Sequence, residues 1–73
     1  MASNIYSDEY KKITNKLREA RAKSGLTQKQ VAEKLGKPQS YVSKSEAGDR
    51  RLDVTELKKF ADLYATDINE IIK

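Results

Sequence analysis

The sequence predicts an all-α fold of five short helices, and three observations carry the prediction. Apolar residues recur at spacings of three and four. All three glycines, Gly25, Gly36 and Gly48, fall where such a run stops. Ser/Thr/Asp-x-x-Glu/Gln patterns, which mark helix starts, open the later runs. No segment shows the strict alternation or β-branched clustering of a strand.

Ser7-Asp8-Glu9 sets a capping hydroxyl and two acids ahead of Tyr10, Ile13, Leu17 and Ala20, which predicts a first helix from Asp8 to Ser24 with Gly25 beyond it. Thr27-Gln28-Lys29-Gln30 is a capping box and Gly36 a left-handed stop, giving a second helix of barely two turns. Pro38 presets φ for a third, Gln39 to Glu46, closed by Gly48. Asp53-Val54-Thr55-Glu56 opens a fourth, with Leu57, Phe60, Ala61 and Tyr64 on its buried side and its end near Ala65. Asp67-Ile68-Asn69-Glu70 repeats the box and opens a fifth carrying Ile68, Ile71 and Ile72.

At 73 residues the chain suffices for one small domain, expected over residues 8–73 behind a loose segment at 1–7. A chain this short buries only roughly 60% of its unfolded surface. With no cysteine and no histidine, neither a disulfide nor the usual zinc ligand set can assist, so burial alone holds the core. No cofactor and no metal are implied. The N-terminus lacks the basic segment and apolar run of a secretory signal, and nothing approaches the roughly 20 apolar residues of a membrane span, so a cytoplasmic protein is expected. Enzymatic chemistry is disfavoured: there is no metal-ligand cluster and no glycine-rich phosphate loop, and the carboxylates are accounted for as caps and surface charges.

Net charge is +4, but its distribution is more informative. Tyr10 to Arg51 holds twelve basic and four acidic residues (+8); Met1 to Glu9 sums to −2 and Leu52 to Lys73 to −2. A positive centre suits either a polyanion-binding surface or a merely solvated face. Two short helices joined by a tight turn at Gly36 have the form of a helix-turn-helix, whose second helix enters a major groove about 12 Å wide. That spacing alone fits a DNA-binding domain and a generic small bundle equally.

The residues go further. Gly25-Leu26-Thr27-Gln28, Ala32, Leu35-Gly36, Val42-Ser43 and Glu46-x-Gly48, set within the run from Leu17 to Gly48, closely resemble the Cro/C1-type helix-turn-helix family of phage repressors and bacterial regulators. The resemblance spans roughly Ile13 to Ile72 and implies a compact five-helix, lambda repressor-like DNA-binding domain; the docking geometry is that known for repressors of this family.

Position by position, the resemblance implies that Gln28 contacts a phosphate and braces Gln39. It places Gln39, Ser40, Tyr41, Ser43 and Lys44 on or beside the groove-facing side of the recognition helix, with Gln39 able to address adenine N6 and N7. Lys44, Arg50 and Arg51, assisted by Lys29, serve as phosphate clamps. Each has a plainer alternative: Gln28 as a helix start, Tyr41 as a packing residue, Arg50-Arg51 as solvated loop charges. The family pairs the positions of Arg21 and Glu46; here the pair is either a partly buried bidentate contact that sets the angle of the reading helix or two exposed charges.

Lys37, Ser45 and Thr66 stand where the family usually has apolar residues. Pro38 takes the usual hydroxyl cap site, and Ala65 a position where glycine is common. Ser45 matters most, since losing a large buried side chain costs on the order of 2–5 kcal/mol. Either a neighbour such as Tyr10 or Tyr64 fills the space, or the position is exposed, or a partner covers it.

The leading expectation is a sequence-specific transcriptional regulator, a repressor, reading double-stranded DNA as a homodimer. The dimer would form through the last helix at Ile71 and Ile72, unless these are buried within the monomer. A phage-type repressor, an antitoxin and a restriction-modification controller all fit the same domain. The alternative from another class is a protein-interaction module or antitoxin-type partner that keeps the fold without reading DNA.

Overall fold

Acidic Asp8 and Glu9 begin the first helix and basic Arg21 and Lys23 end it, so both ends complement the helix dipole of α1 (Asp8–Ser24). The computed structural model describes residues 8–72; the segment expected to be loose, 1–7, lies outside the described residues, as does Lys73. Helices α2 (Gln28–Leu35), α3 (Gln39–Ala47), α4 (Val54–Leu63) and α5 (Ile68–Ile72) follow in the predicted order. No strand occurs among the described residues.

Two expected capping boxes form in full. Thr27 Oγ1 accepts from the Gln30 amide at 3.1 Å while Gln30 Oε1 accepts from the Thr27 amide at 2.9 Å. Asp53 and Glu56 exchange the same pair at 2.8 and 3.0 Å. The third start differs: Asp67 Oδ1 accepts from the Asn69 amide at 2.8 Å, one residue earlier than a capping box requires. Pro38 stands at the N-cap just before α3, with φ of −68° in extended backbone, and supplies no side-chain cap.

Three helices end in the same pair of backbone hydrogen bonds. After α2, Gly36 and Lys37 donate to Glu33 and Ala32; after α3, Gly48 and Asp49 donate to Ser45 and Lys44; after α4, Ala65 and Thr66 donate to Asp62 and Ala61. The motif needs a left-handed residue at its corner, and Ala65 supplies it with φ of 54°. Helix α4 thus stops at Leu63, slightly before the expected Ala65.

Helix α1 packs against α3, α4 and α5, α2 lies on α3, and α4 supports α5. Leu17, Val31, Ala32, Val42, Leu52, Leu57, Phe60, Ala61, Tyr64 and Ile71 form the core, which includes all four residues expected on the inner side of α4. Ile13 and Ala20 of the predicted α1 stripe are only half-buried, whereas Thr14 is buried. No helix among the described residues is long and apolar enough to cross a membrane.

Two sequence expectations are resolved by burial. Ser45 is fully buried in the monomer and its hydroxyl donates to the Tyr41 carbonyl at 2.6 Å, so neither exposure nor a covering partner accounts for it. Ile71 belongs to the monomer core at 1% exposure, which removes it from any dimer surface; Ile72, at 47%, remains outside.

Candidate nucleic-acid interface

The nine residues of α3 divide by face. Val42, Ser45 and Glu46 point inward, while Gln39, Ser40, Ser43, Lys44 and Ala47 are exposed. The exposed positions repeat at three and four, so they form one outward strip. Of the five base-reading candidates, the strip gathers Gln39, Ser40, Ser43 and Lys44.

Tyr41 matches its packing alternative instead. Its ring stacks on Phe60, 6.1 Å between centroids and 10° between planes, and its hydroxyl donates to Glu56 Oε2 at 2.8 Å. The position falls between the strip and the buried face, so the side chain turns toward α4. Burial, and then the bond to the Glu56 carboxylate, push the Tyr41 phenol above its ordinary value.

The strip is held from behind by a polar lock. Glu46 is 2% exposed. Its carboxylate accepts from Arg21 Nε at 2.6 Å and from the second guanidinium arm at 3.3 Å, and Gln28 Nε2 donates to Glu46 Oε1 at 2.9 Å. Gln28 therefore braces Glu46 and not Gln39, a correction to the expectation. The amide reaches inward because α2 lies on α3. Arg21 also donates to the Leu26 carbonyl at 3.0 Å, and Arg18 donates to the Glu46 carbonyl and to Asn15. The hydrogen bond to Glu46 raises the Arg21 guanidinium above its ordinary value. Three helices thus converge on one carboxylate.

The loop after α3 is also fastened. Tyr10 Oη donates to the Arg50 carbonyl at 3.0 Å and accepts from the Leu52 amide at 2.9 Å. The Arg50 guanidinium lies 4.8 Å from the Tyr41 ring centroid and pairs with Glu56 at 3.0 Å; Arg51 lies 5.2 Å from the Tyr10 ring. Both arginines are exposed. The Asp53 amide, and next the Tyr41 hydroxyl, hold the Glu56 carboxyl at about 2. Lys29 and Lys44 are exposed and enter no ion pair among the described residues.

Sequence reasoning missed Arg18, Tyr10 and Glu56. In the sequence Tyr10 stands out only as a stripe residue that could fill the space at Ser45, Arg18 only as part of the run from Leu17 to Gly48, and Glu56 only as a cap. Their cross-chain partners lie 28, 40 and 15 residues away. Only the bonds of Arg18 to Asn15, three residues apart, and of Arg50 to Glu56, six apart, lie within local reach.

This arrangement has known counterparts. A helix-turn-helix family model matches residues 17–71, most of the chain. An XRE-family like protein from Pseudomonas syringae pv. tomato str. DC3000 has a similar solved structure, with a TM-score of 0.81 and 44% sequence identity, covering 88% of this chain and 78% of that one. In sequence, 61 residues are 41% identical to part of a glutamine–fructose-6-phosphate aminotransferase (isomerizing) of Methanocaldococcus jannaschii. The match takes in 82% of this chain but only 6% of that protein's length, a single segment of a far larger molecule. The family match, the neighbour's fold and the strip on α3 agree: the chain belongs to the Cro/C1-type helix-turn-helix family of DNA-binding transcription regulators.

Proposed function

We propose that this protein is a sequence-specific repressor that reads the DNA major groove as a homodimer in the cytoplasm. The observation that carries the reading is the outward strip of α3, backed by the Arg21–Glu46–Gln28 lock. Gln39 addresses adenine, Ser40, Ser43 and Lys44 complete the base contacts, and each good bidentate pair is worth about 1–3 kcal/mol of discrimination. Lys29, Arg50 and Arg51 neutralise phosphates, with Gln28 at the edge of the same surface; Arg50 exchanges part of its bond to Glu56 for a phosphate as DNA arrives. One reading helix covers too few base pairs for useful selectivity in a genome, which calls for a second copy joined near exposed Ile72. Repression then needs only occupancy of the site.

The test is selection from a randomised duplex library at near-physiological salt. An enriched inverted repeat with half-sites about one helical turn apart is expected. Gln39→Ala then relaxes preference at one position per half-site. Affinity should fall with salt at a log–log slope of about −0.9 per phosphate contacted. A library that returns no motif would sink the specific-reader proposal.

A further inference from the structure

Away from the α3 strip, a depression runs between the end of α2 and the outer side of α4. It has two connected parts that share Leu35 and Lys59: one of about 150 Å³ lined by Leu35, Lys37, Tyr41, Glu56, Lys59 and Phe60, and a more open one of about 440 Å³ extending to Lys34, Asp62 and Leu63. The floor is apolar and the rim is cationic. Both rim acids are already engaged, Glu56 by Tyr41 and Arg50, and Asp62 by Lys58 at 3.7 Å. Lys34 and Lys59 are exposed with no ion-pair partner among the described residues, and Lys37 holds its ammonium 5.4 Å from the Tyr41 ring centroid.

The groove therefore presents three cations, Lys34, Lys37 and Lys59, around an apolar floor, against two rim acids that each pair with a neighbouring cation. Nucleic acid would use the cations but leaves the floor without an apolar group to cover. A protein segment with carboxylates flanking one bulky apolar side chain satisfies both. A cavity of about 150 Å³ accepts a benzene-sized group, the size of a phenylalanine ring. Helical segments commonly bind such grooves through one apolar face.

We propose that the Leu35–Tyr41–Phe60–Leu63 groove is a docking surface for an acidic protein segment anchored by one phenylalanine or leucine side chain. This surface adjoins the α3 strip and shares Tyr41 and the Glu56–Arg50 pair with its support, but it uses none of Gln39, Ser40, Ser43 or Lys44.

Two synthetic peptides test it: a Glu/Asp-rich peptide with a single central Phe, and the same peptide with that Phe replaced by Ser. Titrated into the isotope-labelled protein, the first should shift the NMR signals of Leu35, Tyr41, Phe60 and Leu63 and the second should not. Combining Lys34→Glu with Lys59→Glu should weaken the first peptide by about tenfold or more, as expected for reversing charges at an electrostatic rim. The same double variant should still select the same DNA motif, because neither lysine lies on the α3 strip, even though reversing two charges takes the net charge from +4 to 0 and lowers the general attraction to DNA. Equal binding of both peptides, shifts centred on Ser40, Ser43 and Lys44, or no binding would each overturn the proposal. Loss of the selected DNA motif in the double variant, with peptide binding unchanged, would assign the lysines to DNA and overturn it as well.

Discussion

A carboxylate as enclosed as Glu46 is stable only while its partners hold it, and Arg21 provides the fork that does so. Arg21→Ala leaves the charge with Gln28 as its remaining side-chain partner, so a loss of about 3 kcal/mol is expected, read as a lower urea midpoint. A second buried polar atom points the other way. Tyr64 Oη is buried with no hydrogen-bond partner among the described residues, and burial, reinforced by the Glu46 charge, raises its phenol. Tyr64→Phe removes an unsatisfied hydroxyl while keeping the ring beside Phe60, so the variant should gain about 1 kcal/mol in the same measurement. Residue identities were legible where chemistry is local and obscure where it is not. The Arg21–Glu46 pair could be expected from the family, but the turn of Gln28 toward Glu46 depends on how α2 lies on α3, and no spacing along the chain records it.

At the scale of the element, starts and stops were nearly all readable, because caps and turn residues act within four positions of themselves. The exceptions are instructive. Asp67 caps a helix of only five residues, and it reaches the second amide instead of completing a box. Ala65 closes α4 in a left-handed conformation that glycine adopts freely and alanine does not, at a cost of roughly 1–2 kcal/mol. Ala65→Gly should recover about 1 kcal/mol and raise Tm by about 4–8 °C in a calorimetric scan. Ser45 shows why the apolar pattern of α3 could not be read to the end. Its hydroxyl is satisfied by its own helix, so a small polar residue sits in the core without an exposed face or a partner to explain it.

For the whole molecule, the link between α3 and its support runs through Glu56, which caps α4, receives Tyr41 from α3 and pairs with Arg50 in the loop. Its folded carboxyl lies at about 2 against an ordinary 4.5, so the unfolded chain takes up the proton first as pH falls. The stabilisation is complete above 4.5 and drains away between 4.5 and about 2. Glu56→Gln should flatten that stretch of a stability-against-pH curve obtained by urea denaturation, with a smaller effect near neutrality from the lost pairing with the exposed Arg50.

The division of α3 into an inner and an outer face has a consequence for descent. Val42, Ser45 and Glu46, with Tyr41 at the edge, carry the helix's attachment, and Gln39, Ser40, Ser43, Lys44 and Ala47 are outside the core. Substitutions on the outer five can accumulate, be lost or be exchanged wholesale while the scaffold beneath them stays intact. On the proposed reading of α3, a lineage built on this chassis can drift to a new target without passing through an unfolded ancestor.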